Sequence, residues 1–344
     1  MSHPADAVAD RSDPTGTRLV GFAEIQDAAK RIAGIATRTP LLPCSWADPD
    51  RPLWIKAESL QPIGAFKIRG AVNAVASLDP SAREAGVIAV SSGNHAQAVA
   101  YAAKRFGIDA LIVIPHGAAV NKVAATQALG ATVVRVPPEL REQETRRLAE
   151  ETGRILIHPF DDPRVIAGQG TIGLEIAEQA AQQGFSADAV LAPVSGGGLV
   201  SGLAVAVKEL IPGASVFGVE PELAADAQAS LRSGERTAWP VEDTWRTIAD
   251  ALRASSVGAL TWEHLRALVD DVLTVSEPAI RNAVRELAAS AQLVVEPGGA
   301  VAVAAYLSNL HQLPPGRNYV AVVSGGNVDL DAYAAILSGP PAEA

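Results

Sequence analysis

The sequence contains a single cysteine, Cys44, which excludes an intramolecular disulfide. A lone thiol fits a reducing compartment, so we expect a cytoplasmic protein in which Cys44 is a small core residue. No apolar run reaches the roughly 18 residues that a membrane span needs. Positive charge is also scarce: the formal net charge is −10 at pH 7, and an acidic surface attracts neither nucleic acid nor an anionic membrane. We therefore expect neither as a partner.

The length of 344 residues suggests about two domains around a large core. Residues 1–18 are rich in Ala, Asp, Pro and Ser and lack an apolar stretch, which predicts a flexible tail rather than a signal peptide. From Gly86 onward short β-rich runs alternate with Ala-rich stretches, a pattern typical of an α/β fold with a parallel sheet covered by helices. We predict a small domain over residues 80–160, inserted in a large domain made of residues 19–79 and 161–344.

The same alternation predicts individual elements. Strands are expected at residues 87–91, 110–115, 132–136, 155–160, 187–194, 216–219 and 320–324. Helices are expected at residues 94–106, 121–129, 139–152 and 166–182.

Lysine is rare, with six residues among 28 basic ones, and one of them occupies an unusual place. Lys67 lies between two large apolar residues in Gly64-Ala65-Phe66-Lys67-Ile68-Arg69-Gly70. A lysine in an apolar pocket has a depressed pKa, so part of it is the free amine that forms a Schiff base with an aldehyde. The alternative is a helix lysine whose stem covers apolar surface.

Two glycine turns each follow a predicted strand and open a predicted helix. Ser195-Gly196-Gly197-Gly198-Leu199 presents backbone N–H groups that can hold a phosphate, although its spacing matches neither a dinucleotide fingerprint nor a P-loop, and a plain tight turn is the alternative. Ser91-Ser92-Gly93-Asn94-His95 offers hydroxyls and amides for a carboxylate, and the Asn94 amide can donate to a phenolic oxygen. The alternative for this second turn is a helix N-cap.

A third turn, Ser324-Gly325-Gly326-Asn327, ends a strand near the C-terminus, where open α/β sheets place ligands beyond the strand ends. Together the motifs offer an amine for an aldehyde, a cradle for a phosphate, an amide for a phenol and a hydroxyl for a ring nitrogen. Pyridoxal phosphate carries all four of these partners. A nucleotide-binding module would use the turns but would leave Lys67 without a role. A silent protein that binds pyridoxal phosphate without turnover is the other alternative.

With these motifs, the chain resembles the fold-type-II pyridoxal-phosphate enzymes, in the serine/threonine dehydratase and serine racemase branch. The resemblance runs from about residue 25 to residue 331 and includes further motifs: Ala167-Gly168-Gln169-Gly170-Thr171, Thr247-Ile248-Ala249-Asp250 and Val295-Glu296-Pro297. It implies two open, twisted, mostly parallel sheets flanked by helices, like the tryptophan synthase β subunit. It also implies a homo-oligomer, either a dimer or a tetramer.

The resemblance implies roles for individual residues. Lys67 would be the Schiff-base lysine, Phe66 would pack beside the cofactor ring, and Asn94 would bond its 3-hydroxyl. Ser324 would face the pyridine nitrogen. The phosphate would be held by Ser195, Gly196, Gly197, Gly198 and Leu199, and the substrate carboxylate by Ser91, Ser92, Gly93, Asn94 and His95.

A cation site is also implied by the resemblance. The racemase-like members hold a divalent cation at positions that match the Glu220 side chain, the Ala224 carbonyl and the Asp226 side chain. Ligation by oxygen alone suits Mg²⁺ or Ca²⁺. The alternative is an acidic helix start, because carboxylates near a helix N-terminus are favourable without a metal.

The implied activity is an ammonia-lyase reaction on a small L-β-hydroxy amino acid, with threonine and serine as the leading substrates. Racemisation is the nearest alternative, because Ser92 matches the second acid/base of the racemases, opposite Lys67. Elimination from 3-hydroxyaspartate is equally open. The chain departs from the usual family pattern at Ala65, Ser195 and Ala251, where Ser, Gly and Gly are commoner, and these changes concern the substrate more than the cofactor.

Overall fold

The computed structural model describes residues 18–118, 120–316 and 318–339, without the side chain of residue 121. The predicted tail at residues 1–18 therefore lies outside the described part, apart from Arg18. Ten strands are described: β1 Leu41–Pro43, β2 Leu53–Ala57, β3 Val87–Val90, β4 Ala110–Pro115, β5 Thr132–Val136, β6 Ile155–Leu156, β7 Ala189–Pro193, β8 Ser215–Pro221, β9 Asp271–Val275 and β10 Tyr319–Val323.

The same ranges contain fourteen α-helices, together with short 3₁₀ turns. The helices are α1 Phe22–Ile32, α2 Lys67–Ala76, α3 Pro80–Ala85, α4 Asn94–Phe106, α5 Val120–Ala128, α6 Arg141–Thr152, α7 Pro163–Gln182, α8 Gly198–Leu210, α9 Asp226–Ser233, α10 Val241–Thr244, α11 Ala259–Leu268, α12 Glu277–Ser290, α13 Pro297–Ser308 and α14 Leu330–Ser338. None of these described helices is long and apolar enough to cross a membrane.

The strands form two sheets, which confirms the predicted fold class. One sheet has six strands in the order β1-β2-β10-β7-β8-β9, and the other has four in the order β5-β4-β3-β6. Only β1, which pairs with β2, runs antiparallel among the described strands. Every residue of β7 and of β10 is buried, as expected for central strands that helices cover on both faces.

Helices cover both faces of the six-stranded sheet because successive side chains of a strand point to opposite faces. Leu191 of β7 belongs to the core cluster that contains α13, whereas its neighbour Val190 belongs to the cluster that contains α8. A separate core cluster joins α2 and α4 to the four-stranded sheet. The strands of this smaller sheet all fall within residues 87–156, and the domain boundaries at 80 and 160 stay a prediction.

Several predicted elements have the predicted bounds, including β4, β5 and α4. The strand predicted at residues 155–160 is shorter, because the chain turns away from β3 after Ile157 donates its N–H to Ile88. The helix predicted at residues 166–182 begins earlier, at Pro163, because the Asp162 side chain accepts from the Arg164 N–H and caps it. Strands β1, β2 and β9 were not predicted.

Candidate active site

A pocket lies where β3, β7 and β10 end, at the edge where parallel strands place ligands. It brings together every residue predicted to contact the cofactor or the substrate carboxylate. These are Phe66, Lys67, Ser91, Ser92, Gly93, Asn94, His95, Ser195, Gly196, Gly197, Gly198, Leu199 and Ser324. The placement makes the predicted roles sterically compatible with one another, although the roles themselves stay predictions.

Eight further residues line the pocket without having been predicted as site residues: Lys122, Pro159, Phe160, Pro193, Asp250, Ala251, Leu252 and Glu296. Asp250 and Glu296 lie in motifs that the chain shares with the family. Those motifs were the only feature of the sequence that could have identified them as site residues. Lys122 Nζ donates to Asp250 Oδ2 at 2.6 Å, so α5 and the 3₁₀ turn Asp250–Leu252 meet at the pocket.

Lys67 is the first residue of α2, and its side chain reaches the pocket wall. Its Nζ donates to the Pro159 carbonyl at 2.6 Å and lies 5.2 Å from the centroid of the Phe66 ring. Desolvation lowers the pKa of Lys67 to about 8, because no carboxylate compensates for the lost water. A substantial fraction of the amine is therefore neutral near physiological pH.

The position of α2 is fixed by a buried ion network directly behind Lys67. The Arg69 guanidinium donates to both carboxylate oxygens of Glu58 at 2.8 Å and to Glu175 at 2.7 Å, and Lys56 donates to Glu175 at 2.6 Å. Burial opposes ionisation of Glu58, but the charge and hydrogen bonds of Arg69, together with Lys56 and Thr39, outweigh it and hold the pKa of that carboxyl below its ordinary value. The network ties α2 to β2 and α7.

The 195–199 turn connects β7 to α8 and is shaped to leave its N–H groups open. Gly197 has φ +90°, in the left-handed region that favours glycine. A Cβ on Gly198 would lie 2.9 Å from the Phe160 Cα, so only glycine fits there without a backbone shift. Thr261 Oγ1 donates to the Gly196 carbonyl at 2.7 Å and supports the turn from outside. A glycine cradle at the N-terminus of a 13-residue helix fits a phosphate.

The 91–95 turn lies across the pocket, between β3 and α4. The Ser91 hydroxyl accepts from the Gly93 N–H at 3.1 Å, and His95 Nε2 lies 2.8 Å from the Ile157 carbonyl. Burial, together with the charge of Lys67, lowers the pKa of His95 to about 3. His95 is therefore neutral and donates from Nε2 to Ile157, which makes it a supporting residue of the turn.

The 324–327 turn closes the third side of the pocket. Ser324 is buried at the end of β10, and its carbonyl accepts from the Phe66 N–H at 3.0 Å. This bond links the turn to the residue before Lys67. The side chain of Ser324 also lines the pocket, where a hydroxyl can meet a ring nitrogen.

The predicted cation ligands lie outside this pocket, at the end of β8 and the start of α9. Glu220 accepts from the N–H groups of Ala227 at 3.0 Å and Gln228 at 2.9 Å. Neither carboxylate oxygen of the buried Asp226 receives a hydrogen bond of good geometry. Burial raises the pKa of Asp226 to about 7, and burial together with Asp226 raises that of Glu220.

The buried Asp226, with both of its oxygens open beside the buried Glu220, fits a divalent cation, because an unpaired buried charge is otherwise costly. Within the described ranges, no three His, Cys, Asp or Glu side chains form a group that could hold a metal ion. A cation at this place would therefore need backbone oxygen, such as the Ala224 carbonyl, in addition to the two side chains.

The fold and the pocket define an α/β enzyme built to hold a phosphorylated aldehyde beside a reactive lysine. Comparison with known proteins agrees: the family model described as pyridoxal-phosphate dependent enzyme matches residues 32–325. The chain belongs to this family, and pyridoxal phosphate is its cofactor.

Relatives with different activities are about equally similar to the chain. An L-threo-3-hydroxyaspartate ammonia-lyase of Saccharomyces cerevisiae is 42% identical over 92% of this chain and 96% of its own length. A serine racemase of Arabidopsis thaliana is 44% identical over 89% of this chain and 92% of its own. The crystal structure of a T.th. threonine deaminase has a TM-score of 0.85 at 47% identity, covering 90% of this chain and 99% of its own. The prediction of a pyridoxal-phosphate-dependent lyase is confirmed, within a family branch that holds both ammonia-lyases and racemases.

Proposed function

We propose that the protein is an ammonia-lyase that converts a small L-β-hydroxy amino acid, threonine or serine, into a 2-oxo acid and ammonia. The observation that carries this proposal is the placement of the partly neutral Lys67 in one pocket with the 91–95 and 195–199 turns. Removal of the Cα proton of an amino acid requires an amine, an anion cradle and a second set of hydroxyl and amide donors.

Bound pyridoxal phosphate supplies the electron sink for the charge that develops at Cα. Lys67 would hold the cofactor, and its amine, when free, would accept the Cα proton as general base. The pKa of about 8 suits this role, because the neutral amine is populated and is still basic enough to take a proton.

The remaining residues orient the reactants. The 91–95 turn binds the substrate carboxylate through N–H and hydroxyl donors, and the 195–199 turn binds the phosphate through its helix N-terminus. Ser324 is neutral and would leave the ring nitrogen of the cofactor unprotonated, which would favour prompt elimination over a long-lived carbanion. The Cα proton and the β-hydroxyl leave together as water, and the resulting enamine is hydrolysed by water to the 2-oxo acid and ammonia.

Racemisation is the second candidate, and Ser92 is the observation that favours it. Ser92 lines the same pocket as Lys67, and a hydroxyl can return a proton to Cα from the other side. The similarity to a serine racemase supports this candidate, as the similarity to a 3-hydroxyaspartate ammonia-lyase supports elimination from that amino acid.

We further propose that Glu220, Asp226 and the Ala224 carbonyl hold Mg²⁺ or Ca²⁺, supported by the open oxygens of Asp226. The enzyme would work in the cytoplasm as a homo-oligomer, a dimer or a tetramer, with residues 80–160 as its small domain. The cation site follows from the resemblance to the family, whereas the compartment follows from the lone Cys44 and the domain bounds from the alternation of strands and helices.

The test is a substrate panel. The holoenzyme is incubated with L-serine, L-threonine and L-threo-3-hydroxyaspartate, and 2-oxo acid and D-amino acid are measured in the same samples, with Lys67→Ala as the blank. We expect 2-oxo acid from threonine or serine in excess over D-serine. A D-amino acid as the main product would favour racemisation, and turnover of 3-hydroxyaspartate alone would correct the substrate.

A further inference from the structure

The amide of Asn94 is held from both sides by residues of distant segments. Asn94 Nδ2 donates to Glu296 Oε1 at 2.6 Å, and Asn94 Oδ1 accepts from Asn327 Nδ2 at 2.8 Å. Asn327 Nδ2 also donates to the Ile63 carbonyl at 2.8 Å. Asn94 begins α4 on the four-stranded sheet, whereas Glu296 precedes α13 and Asn327 follows β10 of the six-stranded sheet. One side chain thus joins the two sheets at the pocket.

These contacts determine which end of the Asn94 amide faces which neighbour. Burial raises the pKa of Glu296 to about 7, and in its ionised form the carboxylate only accepts, so the amide nitrogen faces it. The Asn327 nitrogen only donates, so the carbonyl oxygen of Asn94 must face it. A reversed amide would set oxygen against the Glu296 carboxylate and nitrogen against the Asn327 nitrogen, and both bonds would be lost.

The fixed orientation leaves one donor for the pocket. An amide nitrogen carries two hydrogens, and Glu296 is the acceptor for one of them among the described residues. Because Asn94 lines the pocket, the second N–H can donate to an acceptor oxygen there. Reversal would present a carbonyl oxygen in its place, which would repel an oxygen of the ligand.

The surroundings of Glu296 are built around its carboxylate. Glu296 is 3% exposed, and a Cβ on Gly325 would lie 2.3 Å from its Oε1, so the glycine leaves the space that the carboxylate occupies. The Glu296 backbone N–H donates to the Gly325 carbonyl at 3.1 Å and fixes the two residues together. A buried carboxylate is costly unless it is bonded, and Asn94 is the side chain that bonds it here.

We propose that Glu296 and Asn327 are positioning residues that fix the orientation of the Asn94 amide, so that its second N–H points at the phenolic oxygen of bound pyridoxal phosphate. This inference rests on the proposed function, with Asn94 at that oxygen as the resemblance to the family implies. Glu296 and Asn327 themselves act through Asn94 and need not touch the cofactor.

The test is a double-mutant cycle read by cofactor binding. Apoprotein of the wild type, Glu296→Ala, Asn94→Ala and the double variant is titrated with pyridoxal phosphate, and the Kd and the visible absorption maximum are measured. We expect Glu296→Ala to raise the Kd about tenfold, the effect of one lost hydrogen bond, and to shift the absorption maximum. In the Asn94→Ala background the same change should have an effect below about twofold, because the two residues act as one unit.

Further variants separate positioning from folding. Asn327→Ala should behave like Glu296→Ala, and Glu296→Gln should recover much of the affinity because its Oε1 can still accept from Asn94. If Glu296→Ala melts below the assay temperature, Asn327→Ala replaces it in the same cycle.

The two possible failures are distinguishable. An equal effect of Glu296→Ala in both backgrounds would overturn the positioning role alone. An unchanged Kd and spectrum in Asn94→Ala would remove Asn94 from the cofactor, and the inference would fall with that part of the proposed function.

Discussion

Lys67 and Lys56 show that the role of a buried lysine depends on the groups around it. Both lysines lie between apolar residues in the sequence, and burial lowers the pKa of both. Lys56 is paired with Glu175 at 2.6 Å and faces away from the pocket, whereas Lys67 has a backbone carbonyl as partner and opens onto the pocket. The charge of Glu175 partly offsets the effect of burial on the pKa of Lys56, whereas the pocket leaves the amine of Lys67 accessible to a ligand.

A prediction at this scale concerns Ser324. If its hydroxyl faces an unprotonated ring nitrogen, Ser324→Asp should protonate the ring and strengthen the electron sink. We expect slower elimination relative to transamination and a changed visible spectrum, measured on purified holoenzyme with threonine. Ser324→Ala is the control, because it removes the hydroxyl without adding charge. An unchanged spectrum and product ratio in Ser324→Asp would place the ring nitrogen elsewhere.

Among the elements, the 195–199 turn depends on the absence of side chains. Gly198→Ala places a Cβ 2.9 Å from the Phe160 Cα, so the turn or the neighbouring loop must move. We expect the Kd for pyridoxal phosphate to rise by about tenfold or more, since a helix N-terminus binds phosphate only in close geometry.

Gly213→Ala is the matched control, because nothing lies within 4 Å of the added Cβ and residue 213 is exposed. Both variants are titrated as apoprotein by absorbance. Equal affinities in Gly198→Ala and the wild type would show that the phosphate does not bind at this turn.

Sequence reasoning recovered the elements of the small sheet and the three glycine turns that line the pocket, because strand, glycine turn and helix follow one another locally in the chain. Strand β2 was not predicted, because a lysine within a short apolar run suggests an exposed position. Lys56 is buried instead, because it pairs with Glu175 from a distant segment. Glu296 was missed as a site residue for the same reason, since its partner Asn94 lies 202 positions away. A contact between distant segments leaves no local pattern.

At the scale of the whole molecule, the pocket exists because two sheets meet. The 91–95 turn comes from the four-stranded sheet, and the 195–199 and 324–327 turns come from the six-stranded one. Helix α2 packs against both α4 and α7, and the ion network around Arg69 holds it there. Lys67 is therefore presented by a helix that both halves of the molecule support.

The proposed cation concerns the stability of the whole molecule, because it would link Glu220 of β8 to Asp226 of α9. A cation that binds only the folded state stabilises it, by about 2.7 kcal/mol at a hundredfold excess over its Kd. We expect a chelator to lower the Tm of the wild type and added Mg²⁺ or Ca²⁺ to restore it, measured by calorimetry.

Glu220→Ala should abolish most of this response, because it removes one charged oxygen ligand. Glu222→Ala is the control, since Glu222 is exposed in the same segment. If neither the chelator nor either cation changes the wild-type Tm, no cation binds at the buried carboxylates, and they have a structural role at the start of α9.

The most direct test of the account is to locate the cofactor on the chain. The holoenzyme is reduced with borohydride and digested, and the peptides around all six lysines are analysed by mass spectrometry. We expect the reduced cofactor on Lys67 alone, retained in a Lys122→Ala variant and lost, with the visible absorption, in Lys67→Ala. Cofactor attached to Lys122, the other lysine that lines the pocket, or to any lysine outside it would contradict the account.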